Sequence, residues 1–166
     1  MSPKRGKDEA GASGLLADQV CFALYSASHA VTGHYRPMLD ELGLTYPQYL
    51  VMLALWQHPE LTMKELGPML HLDSGTLSPL LKRLEQRGLV RRARGAEDER
   101  LVSVTLTDDG EALRRQAAGV PSAIQTAMGL DDEQLATIRA QLRDLADSVR
   151  STPRAVLATP PPDEGP

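Results

Sequence analysis

The 166-residue sequence holds one cysteine, one phenylalanine, one tryptophan and four tyrosines, and aromatics make up only 4% of it. A single cysteine excludes an internal disulfide framework, a Cys-x-x-Cys redox pair and a cysteine-rich zinc site. So few aromatics leave the core to Leu, Val, Ala and Met, which suits helices better than a β-sandwich. No apolar run approaches the roughly 18 residues of a membrane helix. The N-terminal residues Lys4, Arg5, Lys7, Asp8 and Glu9 lack the apolar stretch of a signal peptide. The expected location is therefore the cytoplasm, with no membrane partner. His29, His34, His58 and His71 show no metal-ligand spacing, so no metal site and no cofactor are expected.

What is present is an ordinary globular composition, 42% hydrophobic and 24% charged. Net charge is −4, but from Lys82 to Arg94 six basic residues (Lys82, Arg83, Arg87, Arg91, Arg92, Arg94) stand against Glu85 alone. A basic stripe on one face is the footprint of a nucleic-acid partner, whatever the average charge. A basic run taken alone is more often a solvated face, so the order of elements around it has to decide.

Residues 1–14 are Gly-containing and charged, and are expected to be flexible. Residues 152–166 carry Pro153, Pro160, Pro161, Pro162 and Pro166 and are expected to be disordered. Between them, 15–151 is expected to form one domain. Leu16, Val20, Leu24, Ala27 and Val31 predict a helix from Leu15 to about Tyr35, interrupted by Pro37. A second helix starts near Pro47 and ends at His58-Pro59. Thr62 and Glu65 form a capping box for a short third helix. After a break at His71-Leu72-Asp73 comes a fourth helix, "SGTLSPLLKRLEQRG", closed by Gly88. Leu77, Leu80, Leu81 and Leu84 give it one buried face. Pro79 predicts a late, irregular start near Thr76.

The period then changes to two. Val90 begins one strand, and Val102, Val104 and Leu106 alternate on another, joined by a hairpin turn at 95–99. Thr107-Asp108 caps a helix with the stripe Leu113, Ala117, Val120, Ile124 and Met128, interrupted by Pro121. Asp131 starts a last helix in which Leu135, Ile138, Leu142, Leu145 and Val149 form a heptad seam that needs a partner helix.

This order predicts a mainly α fold with a small β-wing, a winged helix-turn-helix over about 44–107. Dimerisation helices are expected at about 15–35 and 108–150. A helix with Ser74, Gly75, Thr76, Ser78 and Lys82 outward can enter a major groove, and Arg92 and Arg94 can reach the adjacent minor groove. Two such helices in a homodimer would read a pseudo-palindromic operator on double-stranded DNA.

The stretch from Leu44 to Gly110 resembles the MarR-type winged-helix regulators, and "EDER" carries their Asp-x-Arg wing signature at Asp98 and Arg100. More narrowly, "CFALYSAS", "LTYPQYLVMLALW" and "LDSGTLSPLLKRLEQRGLV" resemble the organic hydroperoxide resistance regulators over about 15–150. The resemblance implies a repressor that releases DNA when a peroxide oxidises its N-terminal cysteine, here Cys21. It further implies hydrogen-bonding tyrosines at Tyr35 and Tyr46, supplied by the other subunit, and a matching position at Tyr25. It makes Arg100 the minor-groove candidate and Asp98 the holder of the wing tip.

On its own chemistry, a lone cysteine on an amphipathic helix reads as a small buried hydrophobe. Only Asp18 and His29 are titratable close by, and neither is an obvious activator. The resemblance reverses that reading. No second cysteine exists to resolve a sulfenic acid, so the sequence matches the one-Cys type. Cys21 sulfenate is then expected to pass to a low-molecular-weight thiol or to sulfinic acid. Leu24, Val51 and Leu55 would favour an apolar peroxide. One alternative is a MarR-type regulator that responds to a small aromatic ligand. Another is a one-Cys thiol peroxidase, disfavoured because no Arg or His is suitably spaced to activate turnover, so no catalytic residue is assigned. Arg100→Ala is expected to weaken operator binding at physiological salt in a fluorescence-anisotropy titration, and unchanged affinity would remove Arg100 from the DNA face.

Overall fold

A computed structural model describes residues 16–94 and 102–153. They divide into two compact units, one through Met128 and one from Gly129 onward. The expected flexible N-terminal residues, the hairpin turn with Asp98 and Arg100, and the tail after Pro153 lie outside the described residues.

The first unit opens with a short 3-10 turn at Leu16–Asp18 and then α1, Val20–Glu41. Helix α1 does not stop at Pro37 as the sequence predicts; it runs through that residue. Pro37 and its i−4 partner Gly33 are both exposed. The Gly33 carbonyl that loses its hydrogen bond therefore faces water, where the loss is cheapest. Helix α1 closes on Gly43, which sits at φ +64°. There Gly43 N–H donates to the Asp40 carbonyl at 3.0 Å and Leu44 N–H to the Leu39 carbonyl at 2.8 Å.

Helix α2, Tyr46–Gln57, starts from a capping box in which Thr45 and Gln48 satisfy each other's backbone N–H groups. Its apolar residues face all round, and Tyr49, Val51, Met52, Leu55 and Trp56 are buried. Strand β1, Glu60–Thr62, was not expected from sequence. It leads into α3, Met63–Leu70, through the predicted capping box of Thr62 and Glu65. His71 at φ 54° closes α3. Helix α4, Ser74–Gln86, follows at once, capped by Asp73.

The late start expected for α4 does not occur. Asp73 Oδ1 accepts the Thr76 N–H at 2.9 Å, and Thr76 Oγ1 donates to Asp73 Oδ2 at 3.0 Å. This double cap holds the first turn from Ser74. Pro79 then lies a turn further in, over Gly75, whose released carbonyl is on the exposed side.

Strands β2, Val90–Arg94, and β3, Val102–Leu106, pair antiparallel, and β1 adds to the far side of β3 to give the order β1-β3-β2. Thr107 caps α5, Asp108–Gln116, by accepting the Gly110 N–H at 3.1 Å. The single helix expected from Thr107 to Met128 is two. A 3-10 turn at Ala117–Gly119 separates α5 from α6, Val120–Met128, because Pro121 cannot donate to the turn before it. The core gathers α2, Leu66 of α3, Leu77, Leu81 and Leu84 of α4, Val90, Val104, Leu113, Val120 and Ile124. The second unit is α7, Asp132–Ser151, started by an Asp131–Gln134 capping box.

One close approach ties the wing base to α5. Trp56 Nε1 donates to the Gly110 carbonyl at 3.0 Å. A Cβ on Gly110 would come within 2.1 Å of the Leu89 carbonyl oxygen. Gly110→Ala is therefore expected to lower unfolding free energy by about 3 kcal/mol through overpacking. Urea denaturation followed by Trp56 fluorescence measures it, and a change below ~0.5 kcal/mol would refute the pinch.

Candidate functional site

Two groups of residues carry chemistry. The first is the outer side of α4 with the flanking strand. Leu77, Leu81 and Leu84 are fully buried. Helical periodicity then places Ser74, Gly75, Thr76, Lys82 and Arg83 outward, and all five are exposed. Ser78 is half-buried, and the Thr76 hydroxyl is engaged by Asp73. The Thr76 N–H, and then its hydroxyl, hold the Asp73 carboxyl below its usual range, so it stays ionised as a cap.

On the hairpin, antiparallel register puts Arg92 opposite Val104 and Arg94 opposite Val102. Arg92 thus shares the inward face, and its guanidinium grips Glu85 of α4. Arg92 Nε lies 2.8 Å from Glu85 Oε2, Nη2 bonds the same oxygen, and the Arg92 N–H donates to Oε1 at 3.2 Å. These bonds hold the Glu85 carboxyl below its ordinary value. The pair binds the wing to α4 and occupies the Arg92 cation. Arg91, part of the basic run but not among the residues expected at DNA, is exposed and points to the opposite face beside Thr105. The signal was available, since alternation from the inward Val90 turns Arg91 out and Arg92 in. Lys82, Arg91 and Arg94 make no salt bridge among the described residues.

The second group is Cys21 and the tyrosines. Cys21 is exposed near the start of α1. Tyr25, one turn on, is exposed too, with its ring 4.3 Å from the His29 ring and 6.4 Å from Phe22. Val20, Phe22 and Leu24 are exposed beside them. Val51 and Leu55, expected near Cys21, are fully buried core residues.

Tyr35, Tyr46 and Tyr49 form a separate cluster. The Tyr35 ring centroid is 4.9 Å from Tyr46 and 5.9 Å from Tyr49, and Tyr49 continues to Trp56 at 6.2 Å. Burial, then the neighbouring Tyr46 and Tyr49, pushes the Tyr35 phenol up to about 12. Burial raises Tyr46 and Tyr49 as well. Cys21 and Tyr35 are fourteen positions apart on one helix, about 21 Å along its axis. Within one chain the thiol cannot reach these phenols. A cavity of about 330 Å³ opens beside Tyr46, lined also by Thr32, Arg36, Leu39 and Thr45.

In the second unit, Ile138, Leu142, Leu145 and Val149 are 39–65% exposed and α7 buries no residue. The heptad seam read from sequence is thus an uncovered stripe. No helix of the described residues is long and apolar enough to cross a membrane.

Comparison with known proteins identifies the arrangement. Residues 34–116 match the family model for the transcriptional regulator SarA/Rot. The chain is 46% identical over 134 residues to the organic hydroperoxide resistance transcriptional regulator of Bacillus subtilis, covering 81% of this chain and 91% of that one. The solved structure of AbfR of Staphylococcus epidermidis, overoxidised and bound to DNA, is 39% identical, with TM-score 0.66 over 81% of this chain and 94% of that one. PcaV of Streptomyces coelicolor, solved with its natural ligand, is 26% identical with TM-score 0.75, over 84% of this chain and 99% of that one. By its winged-helix fold and these likenesses, the chain belongs to the MarR-type transcriptional regulators, in the group of the organic hydroperoxide resistance regulators.

Proposed function

We propose that this chain is a dimeric repressor of a pseudo-palindromic DNA operator, and that an organic hydroperoxide releases it by oxidising Cys21. The DNA half rests on α4, whose inner side is fixed in the core while Ser74, Gly75, Thr76 and Lys82 line its exposed outer side. Arg94 and Arg91 on the wing strand are read as phosphate contacts, Arg100 as the minor-groove residue and Asp98 as its support. Arg92 acts by holding the wing against Glu85.

The redox half rests on the separation of thiol and phenols along α1. A second copy would bring its Tyr35 and Tyr46 to Cys21 and cover the apolar residues exposed near it; the apolar stripe of α7 is a separate surface for a second copy to cover. Both phenols keep their protons at neutral pH, so each is a hydrogen-bond donor to a thiolate. The Cys21 thiolate attacks the terminal peroxide oxygen. The O–O bond breaks, the hydroxyl passes to sulfur as a sulfenic acid, and the leaving alkoxide takes up, through water, the proton that the thiol had released. A low-molecular-weight thiol then condenses with it, giving a mixed disulfide and water. AbfR was solved on DNA in an overoxidised state. We therefore assign release to the bulkier thiol-capped form, which displaces the tyrosines.

A second reading, a regulator that answers a small aromatic ligand, is favoured by the cavity beside Tyr46 and Arg36. A gel shift on DNA flanking the gene separates the two. Wild type is expected to lose operator binding with an organic hydroperoxide plus cysteine, while Cys21→Ser keeps it. Binding that ignores peroxide would refute the redox reading and favour the ligand-responsive one. No binding by reduced protein would refute the DNA reading.

The phenols give an independent prediction. Folding makes Tyr35 hold its proton more tightly than its ordinary value of 10 allows. Its contribution to stability is therefore full below pH 10 and is lost as the pH climbs toward 12. Absorbance titration at alkaline pH should show phenols ionising late, together with unfolding. Tyr35→Phe should remove the latest of them, and ordinary titration of all four tyrosines near pH 10 would refute it.

A further inference from the structure

The C-terminal turns of α1 and α4 are built alike and stand close together. Each ends on a left-handed glycine, Gly43 at φ +64° and Gly88 at φ +71°. In each, the glycine N–H and the following N–H close back on the helix. Leu44 bonds the Leu39 carbonyl at 2.8 Å, and Leu89 bonds the Leu84 carbonyl at 3.0 Å. Such a closure satisfies carbonyls inside the helix but leaves those of the cap itself pointing outward. At the end of α1 these are the carbonyls of Leu42 and Gly43.

Arg87, the last residue before Gly88, takes both. Its Nη2 donates to the Leu42 carbonyl at 3.1 Å, and its Nη1 donates to the Gly43 carbonyl. One planar, permanently charged fork thus bridges the two turns, a fit that a point-like ammonium cannot reproduce. Space is made for it by the glycine. A Cβ at Gly43 would lie 2.6 Å from Arg87 Nη2.

The bridge lies between the two functional groups. Two residues after Gly43, Thr45 caps α2, whose first residue is Tyr46. The Tyr46 ring lies tilted against the Tyr35 ring of α1, centroids 4.9 Å apart. At the other end of the bridge is α4, the proposed DNA-reading helix. Helix α1 packs mainly on α2 and α6, so Arg87 is a direct polar link from the turn that carries the tyrosine to the end of α4.

We infer that Arg87 is a positioning residue that couples the Tyr35–Tyr46 site to α4, by clasping the main-chain carbonyls of Leu42 and Gly43. This inference rests on the redox reading above. A displaced Tyr46 moves the short segment 43–45. The clasp then carries that movement to the C-terminal turn of α4, which pivots on its buried leucines. Helix α2 also packs on α4 through the core, so without the clasp only that apolar contact, at the leucines on which α4 pivots, remains.

The test titrates operator DNA with reduced protein and with protein treated with cumene hydroperoxide plus cysteine. It compares wild type, Arg87→Met, Arg87→Lys and Gly43→Ala. Modification of Cys21 is followed by intact mass and folding by thermal melt. For wild type, the ratio of oxidised to reduced Kd is expected to be about tenfold or more, an ordinary coupling strength. In Arg87→Met, Cys21 should be modified as fast and reduced protein should bind within about threefold of wild type, but the ratio should fall to about 2 or less. Arg87→Lys should recover only part of the ratio. Gly43→Ala, which dislodges the fork without altering Arg87 at the cost of some strain in the left-handed cap of α1, should mimic Arg87→Met if Arg87→Met proves unstable and the thermal melt shows Gly43→Ala folded. A wild-type ratio in folded Arg87→Met or Gly43→Ala overturns the coupling role while leaving the redox reading intact. Wild type that keeps its operator after Cys21 is modified overturns the redox reading, and the coupling role with it.

Discussion

Leu77, Leu81 and Leu84 set the orientation of α4, and everything this chain can offer to DNA follows from that. Each is fully buried, and burial of a leucine side chain is worth about 2 kcal/mol. Turning the helix by one residue, about 100°, would swing all three off the core face and bury Lys82 or Arg83 without partners. The remaining contacts refine an angle already imposed. Asp73 fixes the first turn, Glu85 receives the wing through Arg92, and the Gly110 carbonyl receives Trp56 behind it. The proposed recognition surface, made of exposed side chains, is thereby held by a part of the molecule that never meets solvent.

The same rigidity separates the thiol from the phenols. Cys21 and Tyr35 both lie before Pro37 on α1, and the uninterrupted turns between them act as the spacer. Cys21, near the start of α1, is thereby kept apart from Tyr35 further along that helix and from Tyr46 at the start of α2. In the proposed redox reading, a phenol reaches the sulfur only from a second copy. Quaternary structure would then be part of the reactivity, because a phenol raised by burial is a donor without being a competing base.

Much of this was legible in the residues because it is local. The Thr62–Glu65 box, the leucine spacing of α4, Gly88 as a stop and the alternation of Val102, Val104 and Leu106 each reflect contacts within a few positions. Misreadings arose where solvent or distant chain decides. Pro37 and Pro79 break helices only if the carbonyl they orphan is buried, and both Gly33 and Gly75 are exposed. Strand β1 is three residues long and borrows its hydrogen bonds from β3, more than forty positions away. Arg92 looked like a free cation until the strand register turned it toward Glu85. Arg87 carried no signal, since its partners are main-chain carbonyls, which every residue has.

The bare stripe on α7 has a consequence for how the regulator responds to its own abundance. A helix of 20 residues with no buried side chain is marginal by itself, so its order depends on whatever covers Ile138, Leu142, Leu145 and Val149. With a second copy as the cover, folding of this segment is a bimolecular event governed by mass action. When the chain is scarce, doubling its synthesis would then more than double the competent form. Gene dosage would thus be felt nonlinearly, with no additional part required.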